Sequence, residues 1–130
     1  MADQIVFSRG DAAYHTFSIP ATSWSSGGTL FFAAKPVFDD DNTDVNAVIR
    51  TSWTDANLLA DVIIGGITYK KYSCYFAPSA TNSILSGGAP SADYLGEFQF
   101  VPLSGNVITA PAVGDKLDCV VWFDINRKIT

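Results

Sequence analysis

Six consecutive oxygen-bearing side chains, Asp39-Asp40-Asp41-Asn42-Thr43-Asp44, form the densest set of chemically competent residues in this chain. Asp39, Asp41 and Thr43 alternate as the first ligands of a calcium loop do, because Ca2+ takes several oxygens converging from one tight turn. The glycine that makes the sharp bend in such loops is missing, and no glutamate closes the far end. The run reads first as a solvated acidic loop, with Asp39, Asp41 and Thr43 as weak calcium candidates. No cofactor is expected.

The other reactive residues lack partners. Arg9-Gly10-Asp11 matches an integrin-binding tripeptide, but Gly-Asp is also ordinary turn chemistry, and a turn is the reading taken. His15 is the single histidine. A general base needs a nucleophile and an orienting group, and neither Tyr14 nor Thr16 supplies them. Hydrolysis by paired carboxylates needs one acid in an apolar pocket and a second at a set distance. The single glutamate, Glu97, shares a strand face with Gln99, and Asp118 and Asp124 lie along a polar strand face. No catalytic residue is assigned, and the chain is not expected to be an enzyme.

Cys74 and Cys119 sit in apolar runs and read as small buried hydrophobes. A disulfide between them requires neighbouring strands and an oxidising compartment. With one histidine they are too few for a metal site. The aromatics carry the last open possibility. Trp24, Trp53 and Trp122, with Tyr69, Tyr72, Tyr75 and Tyr94, offer flat faces on which sugar rings pack. The same residues equally suit a sandwich core or a subunit interface.

These residues must be held by something, and composition limits what. In 130 residues, hydrophobic types make up 48% and charged types 16%, which excludes intrinsic disorder and fits one domain spanning 1–130. So little charge points to a surface partly covered by other subunits, since uncharged β surfaces otherwise invite edge pairing. The net charge of −5 argues against nucleic acid, whose phosphates are bound by clustered Lys and Arg. Lys70–Lys71 is an adjacent pair, and in a strand the two point to opposite faces. No segment is long and apolar enough to span a bilayer, and Met1-Ala2-Asp3-Gln4 lacks a signal pattern. The expectation is no membrane partner and a cytosol-like compartment, unless the chain is carried out within an assembly.

Gly and Ser punctuate the chain at short intervals, with runs of Val, Ile, Thr and aromatics between them. That spacing predicts an all-β fold, an antiparallel two-sheet β-sandwich of immunoglobulin-like or jelly-roll-like type. Strands are predicted near Ile5–Ser8, Tyr14–Ile19, Thr29–Pro36, Ala47–Trp53, Thr68–Phe76, Gly96–Val101 and Asp115–Ile125. The third is apolar on both faces, so it is central or covered by another chain. The last places Leu117, Cys119, Val121, Phe123 and Ile125 inward, with Asp118, Val120, Trp122 and Asp124 on a solvated side. At most one or two short helical turns are expected. One lies at Ser79–Leu85, capped by Ser79 or Thr81, and one at Thr54–Leu59, capped by Thr54 or Asp55.

The order of pieces carries a resemblance. An opening strand runs into a Gly-Asp turn (Phe7-Ser8-Arg9-Gly10-Asp11), and a Ser/Gly turn (Trp24 to Gly28) leads into Leu30-Phe31-Phe32-Ala33-Ala34-Lys35-Pro36. The Asp-rich loop and Asn46-Ala47-Val48-Ile49-Arg50 follow. Then come Tyr75-Phe76-Ala77-Pro78-Ser79-Ala80-Thr81, Tyr94-Leu95-Gly96-Glu97-Phe98-Gln99-Phe100 and Val121-Trp122-Phe123-Asp124-Ile125. This resembles the small N-terminal β-sandwich domain of tailed-bacteriophage baseplate upper proteins, and similar domains of other phage tail and virion proteins. It departs at Ile19-Pro20-Ala21-Thr22, and at Ile129-Thr130, where relatives continue with a further strand. The resemblance implies a structural or adaptor role in the virion, the chain being made in the host cytoplasm. It would pack beside copies of itself or other virion proteins, with Phe31, Phe38, Trp24 and Tyr69 as interface candidates. The alternative is a module that binds host-surface glycans through its tyrosine-rich strands.

Overall fold

Short runs of β-branched and aromatic residues between turn residues leave the backbone few options other than paired strands. The computed structural model describes residues 4–36, 47–82, 84, 90–110 and 117–122. The strands are β1 (Gln4–Ser8), β2 (Ala13–Pro20), β3 (Thr29–Pro36), β4 (Ile49–Trp53), β5 (Val62–Ile64), β6 (Ile67–Phe76), β7 (Ser91–Val101), β8 (Ile108–Ala110) and β9 (Leu117–Trp122). Helical structure among the described residues is confined to α1 (Ser79–Asn82) and two 3-10 turns at Ala21–Ser23 and Asp55–Asn57.

The strands form two sheets. The larger has the order β1-β9-β7-β3-β4, with β8 also on β7, and the smaller has the order β2-β6-β5. β7 is long enough to serve two neighbours on one edge: residues 91–96 pair with β9 and 98–100 pair with β8. The expected all-β two-sheet sandwich is therefore observed. One pairing departs from the all-antiparallel expectation. β1 runs parallel to β9, with Ile5 opposite Cys119 and Phe7 opposite Val121. Parallel partners cannot be joined by a tight hairpin, and here they are the first and last strands of the described chain, free of that constraint.

The core forms where the two inner faces meet. Ile5, Phe7, Leu30, Phe32, Ala34, Ile49, Trp53, Phe98, Phe100, Cys119 and Val121 line the larger sheet, and Ile19, Tyr72, Cys74 and Phe76 line the smaller. Phe76 is the hub. Its ring lies 4.8 Å from Phe7, 5.3 Å from Phe32 and 5.1 Å from Trp53, each in an edge-to-face arrangement. That geometry sets the positive ring edge against a negative ring face, and adds to the burial of apolar area. Phe17 and Phe98 join the sheets further along by stacking at 4.4 Å. Gly28 is required by the same packing, since a Cβ there would come within 2.6 Å of the Phe100 ring.

Several local expectations shift. β5 and β8 were not anticipated, and β7 starts at Ser91 rather than at Gly96. β4 starts at Ile49, two residues late. Thr54 caps the turn at Asp55–Asn57 as expected, with a reciprocal bond from its own N–H to Asn57 Oδ1 at 3.0 Å. Thr81 lies inside α1 instead of capping it. The outer face of β9 is not uniformly solvated either, because Val120 is 9% exposed. β9 lies between β1 and β7, so Val6 and Asp93 flank Val120 on the same outer face. Phe123, Asp124 and Ile125 lie outside the described residues.

Candidate functional site

Among the described residues, the reactive side chains singled out in the sequence have defined places, and several are engaged by the protein itself. Arg9 Nη1 donates to the Ile84 carbonyl at 2.9 Å, and the Gly10 N–H donates to Thr81 Oγ1 at 2.8 Å. Asp11 N closes the turn on the Ser8 carbonyl at 3.0 Å. The Arg-Gly-Asp turn is thus latched onto α1, with its guanidinium engaged by the protein itself. Thr81, 1% exposed, is the buried polar side chain that receives it.

His15 sits on the inner face of β2, between the rings of Phe7 at 5.4 Å and Phe76 at 5.7 Å, both edge-to-face. Burial lowers its pKa from the usual 6.5, partly opposed by a hydrogen bond to the Val6 backbone. The strand register sets Cys74 directly opposite it. A cysteine facing a histidine is the pairing that nucleophilic catalysis uses, and local sequence did not reveal it. The electrostatics run the wrong way for that chemistry. An activated thiol has a depressed pKa, whereas burial pushes Cys74 up to about 12. The thiol is also 0% exposed. Cys119, in the other sheet, is raised to about 12 for the same reason, and both cysteines are free.

The aromatic set divides between inside and outside. Tyr72 and Trp53 belong to the core, and Tyr94 packs against it. Trp24 is half-buried against the core, its indole N–H donating to the Tyr72 hydroxyl at 2.8 Å, with Lys70 Nζ 4.5 Å above its ring. Tyr69 is half-buried on the outer face of the smaller sheet, opposite Pro20 and Val62. Tyr75 points outward, and pairs with a residue the sequence reading had not enlisted. Tyr14, 73% exposed, lies directly across from it, with the rings 4.8 Å apart. Alternation alone places Tyr14 on the face opposite His15, but only the β2–β6 register brings the two tyrosines together.

Phe31, 44% exposed, stands on the outer face of the larger sheet, in a strand with neighbours on both sides. Ala33 and Lys35 share that face of β3, and Val6, 41% exposed, lies on the same side two strands beyond β7. Phe38, Asp39, Asp41 and Thr43 lie outside the described residues. Among the described residues no three His, Cys, Asp or Glu side chains converge as a metal site would require. No described helix is long and apolar enough to cross a membrane.

What the described parts define is a low-charge β-sandwich in which Arg9, Thr81, Trp24 and Tyr72 hold loops to the core. No protein-family model matches the chain, and no curated protein matches it.

Proposed function

We propose that this chain is a structural or adaptor protein of a bacteriophage virion, acting by protein–protein assembly. The observation that carries the assembly part is Phe31. A phenyl ring 44% exposed in the interior of a sheet, on a chain with only 16% charged residues, is apolar area that another protein surface would cover. The virion part rests on the sequence resemblance, and the Gly-Asp turn and the strand through Leu30–Pro36 that carry it both lie in well-formed elements. No catalytic role is proposed.

Two measurements test it. Sedimentation of the pure chain should show oligomers that Phe31→Arg weakens while the β-sheet circular dichroism is unchanged. An antibody against the chain should decorate purified phage particles from an induced host culture. An assembly indifferent to the Phe31 change, or bare particles, would remove the respective half of the reading.

The Tyr14–Tyr75 pair favours one further reading, a glycan contact on the outer face of the smaller sheet. Two exposed rings 4.8 Å apart, inclined by 45°, offer apolar faces against which a pyranose ring can pack. Binding on a glycan array that Tyr14→Ala abolishes would establish it, and a blank array would dismiss it.

A further inference from the structure

β2, β6 and β5 make the smaller sheet, and none of the three contains an acidic residue. Their two cations, Lys70 and Lys71, are adjacent in β6 and point to opposite faces. Lys70 is neutralised, its Nζ lying 3.3 Å from Asp61 Oδ1 and 4.5 Å above the Trp24 ring. Lys71 shares the outer face with Tyr75, and no hydrogen bond or ion pair engages it among the described residues. It is the one charge that these strands present on that side.

The register lays out the rest of this face in rows across β2 and β6. Tyr14 and Tyr75 make the first row, Thr16 and Ser73 the second, Ser18 and Lys71 the third. Tyr14, Tyr75, Thr16 and Ser18 are exposed, and Ser73 and Lys71 half-buried. From Tyr75 to Lys71 is a run of about 13 Å at the usual rise of a strand. No side chain of the second and third rows has a hydrogen-bond partner among the described residues. The face therefore begins in two rings and continues in three hydroxyls and an ammonium, all open to a ligand. A protein partner favours a surface that is apolar at its centre and polar at its rim, whereas the middle of this one is polar. A nucleic-acid site clusters several cations, and Lys71 stands alone. A sugar chain meets every part. Its C–H face packs on the tyrosines, its hydroxyls exchange hydrogen bonds with Thr16, Ser18 and Ser73, and a carboxylate on it supplies the counter-ion that Lys71 lacks.

We propose, resting on the glycan reading of the Tyr14–Tyr75 pair, that the outer face of the smaller sheet binds acidic oligosaccharides, those carrying a uronate or sialyl carboxylate. The sugar chain lies along the strands, with one ring against Tyr14 and Tyr75 and a carboxylate at Lys71. The net charge of −5 does not prevent this contact. Charges farther than about 8 Å are largely screened at physiological ionic strength, and the three strands bring no carboxylate of their own to the ligand.

Array binding followed by calorimetric titration of the full chain tests the proposal. The probes are oligoglucuronate, oligogalacturonate and sialyllactose, each beside its methyl ester, which keeps the rings and removes the charge. The expected result is that at least one acid binds at least about threefold more tightly than its ester. Lys71→Met should erase that difference and leave the ester's affinity unchanged, while Tyr14→Ala should weaken acid and ester alike. Raising the salt from about 0.1 M to about 1 M should narrow the same gap in the parent chain, a readout that depends on no variant's folding. Equal affinity for acid and ester, lost with Tyr14→Ala, would overturn the acid selectivity and leave the glycan reading standing. So would a preference for the acid that survives Lys71→Met. A blank array, or binding that neither variant alters, would overturn both.

Discussion

The indole N–H of Trp24 donates a 2.8 Å hydrogen bond to the phenolic oxygen of Tyr72, a residue with no exposed surface. The bond spans 48 residues of sequence and ties the loop between β2 and β3 onto the inner face of β6. Burial raises the Tyr72 pKa, and the hydrogen bond from Trp24 partly offsets this. Tyr72 is thus a core aromatic whose polar end has a designated partner.

Trp24→Phe should leave that hydroxyl buried and unpaired, at a cost of about 1–3 kcal/mol beyond the change in packing. Tyr72→Phe on top of it should recover part of the loss, because the stranded oxygen is then gone. Urea unfolding of the two single variants and the double variant measures the coupling. Strict additivity would show that the bond contributes nothing.

Phe76→Ala should be among the most damaging core changes, destabilising the fold by about 3–5 kcal/mol. Its ring meets Phe7, His15, Phe32 and Trp53, so the cavity would open between both sheets with no single neighbour able to fill it. Phe76→Leu, which keeps most of the volume, should cost markedly less. Thermal unfolding followed by tryptophan fluorescence distinguishes the two.

Stability should fall as the pH drops below about 6.5, the ordinary histidine value. His15 has a lowered pKa in the fold because burial among Phe7 and Phe76 disfavours its charged form. The unfolded chain therefore takes up the proton first, and the penalty grows until the folded form also protonates, at the lower value. As the chain has a single histidine, His15→Phe should flatten the stability profile in that window. An unchanged slope between the variant and the parent would show that His15 does not titrate differently on folding.

Much of the sandwich was legible because its signals are local. Turn residues and period-two alternation located β1, β2, β3 and β6 to within two residues, and set Cys119 and Val121 on the apolar face of β9, while β3 read as apolar on both faces. Those assignments need only the pleat of a single strand. β5 and β8, three residues each, carry too few alternations to register against the background of loops. β7 was read short because Ser91-Ala92-Asp93 has weak strand propensity and is held there by pairing to β9.

The sequence alone, then, determined that apolar side chains alternate along short strands and must close two layers over one core, because that information lies within each strand's own repeat. Tertiary structure alone decided which strands are neighbours. It set β1 beside β9, buried Val120 between Val6 and Asp93, placed His15 across from Cys74 and Tyr14 across from Tyr75, and paired β5 with β6 alone among the described strands. Each of these follows from register and sheet order between segments far apart in the chain, which are set by how the whole core packs and not by any residue's immediate neighbours.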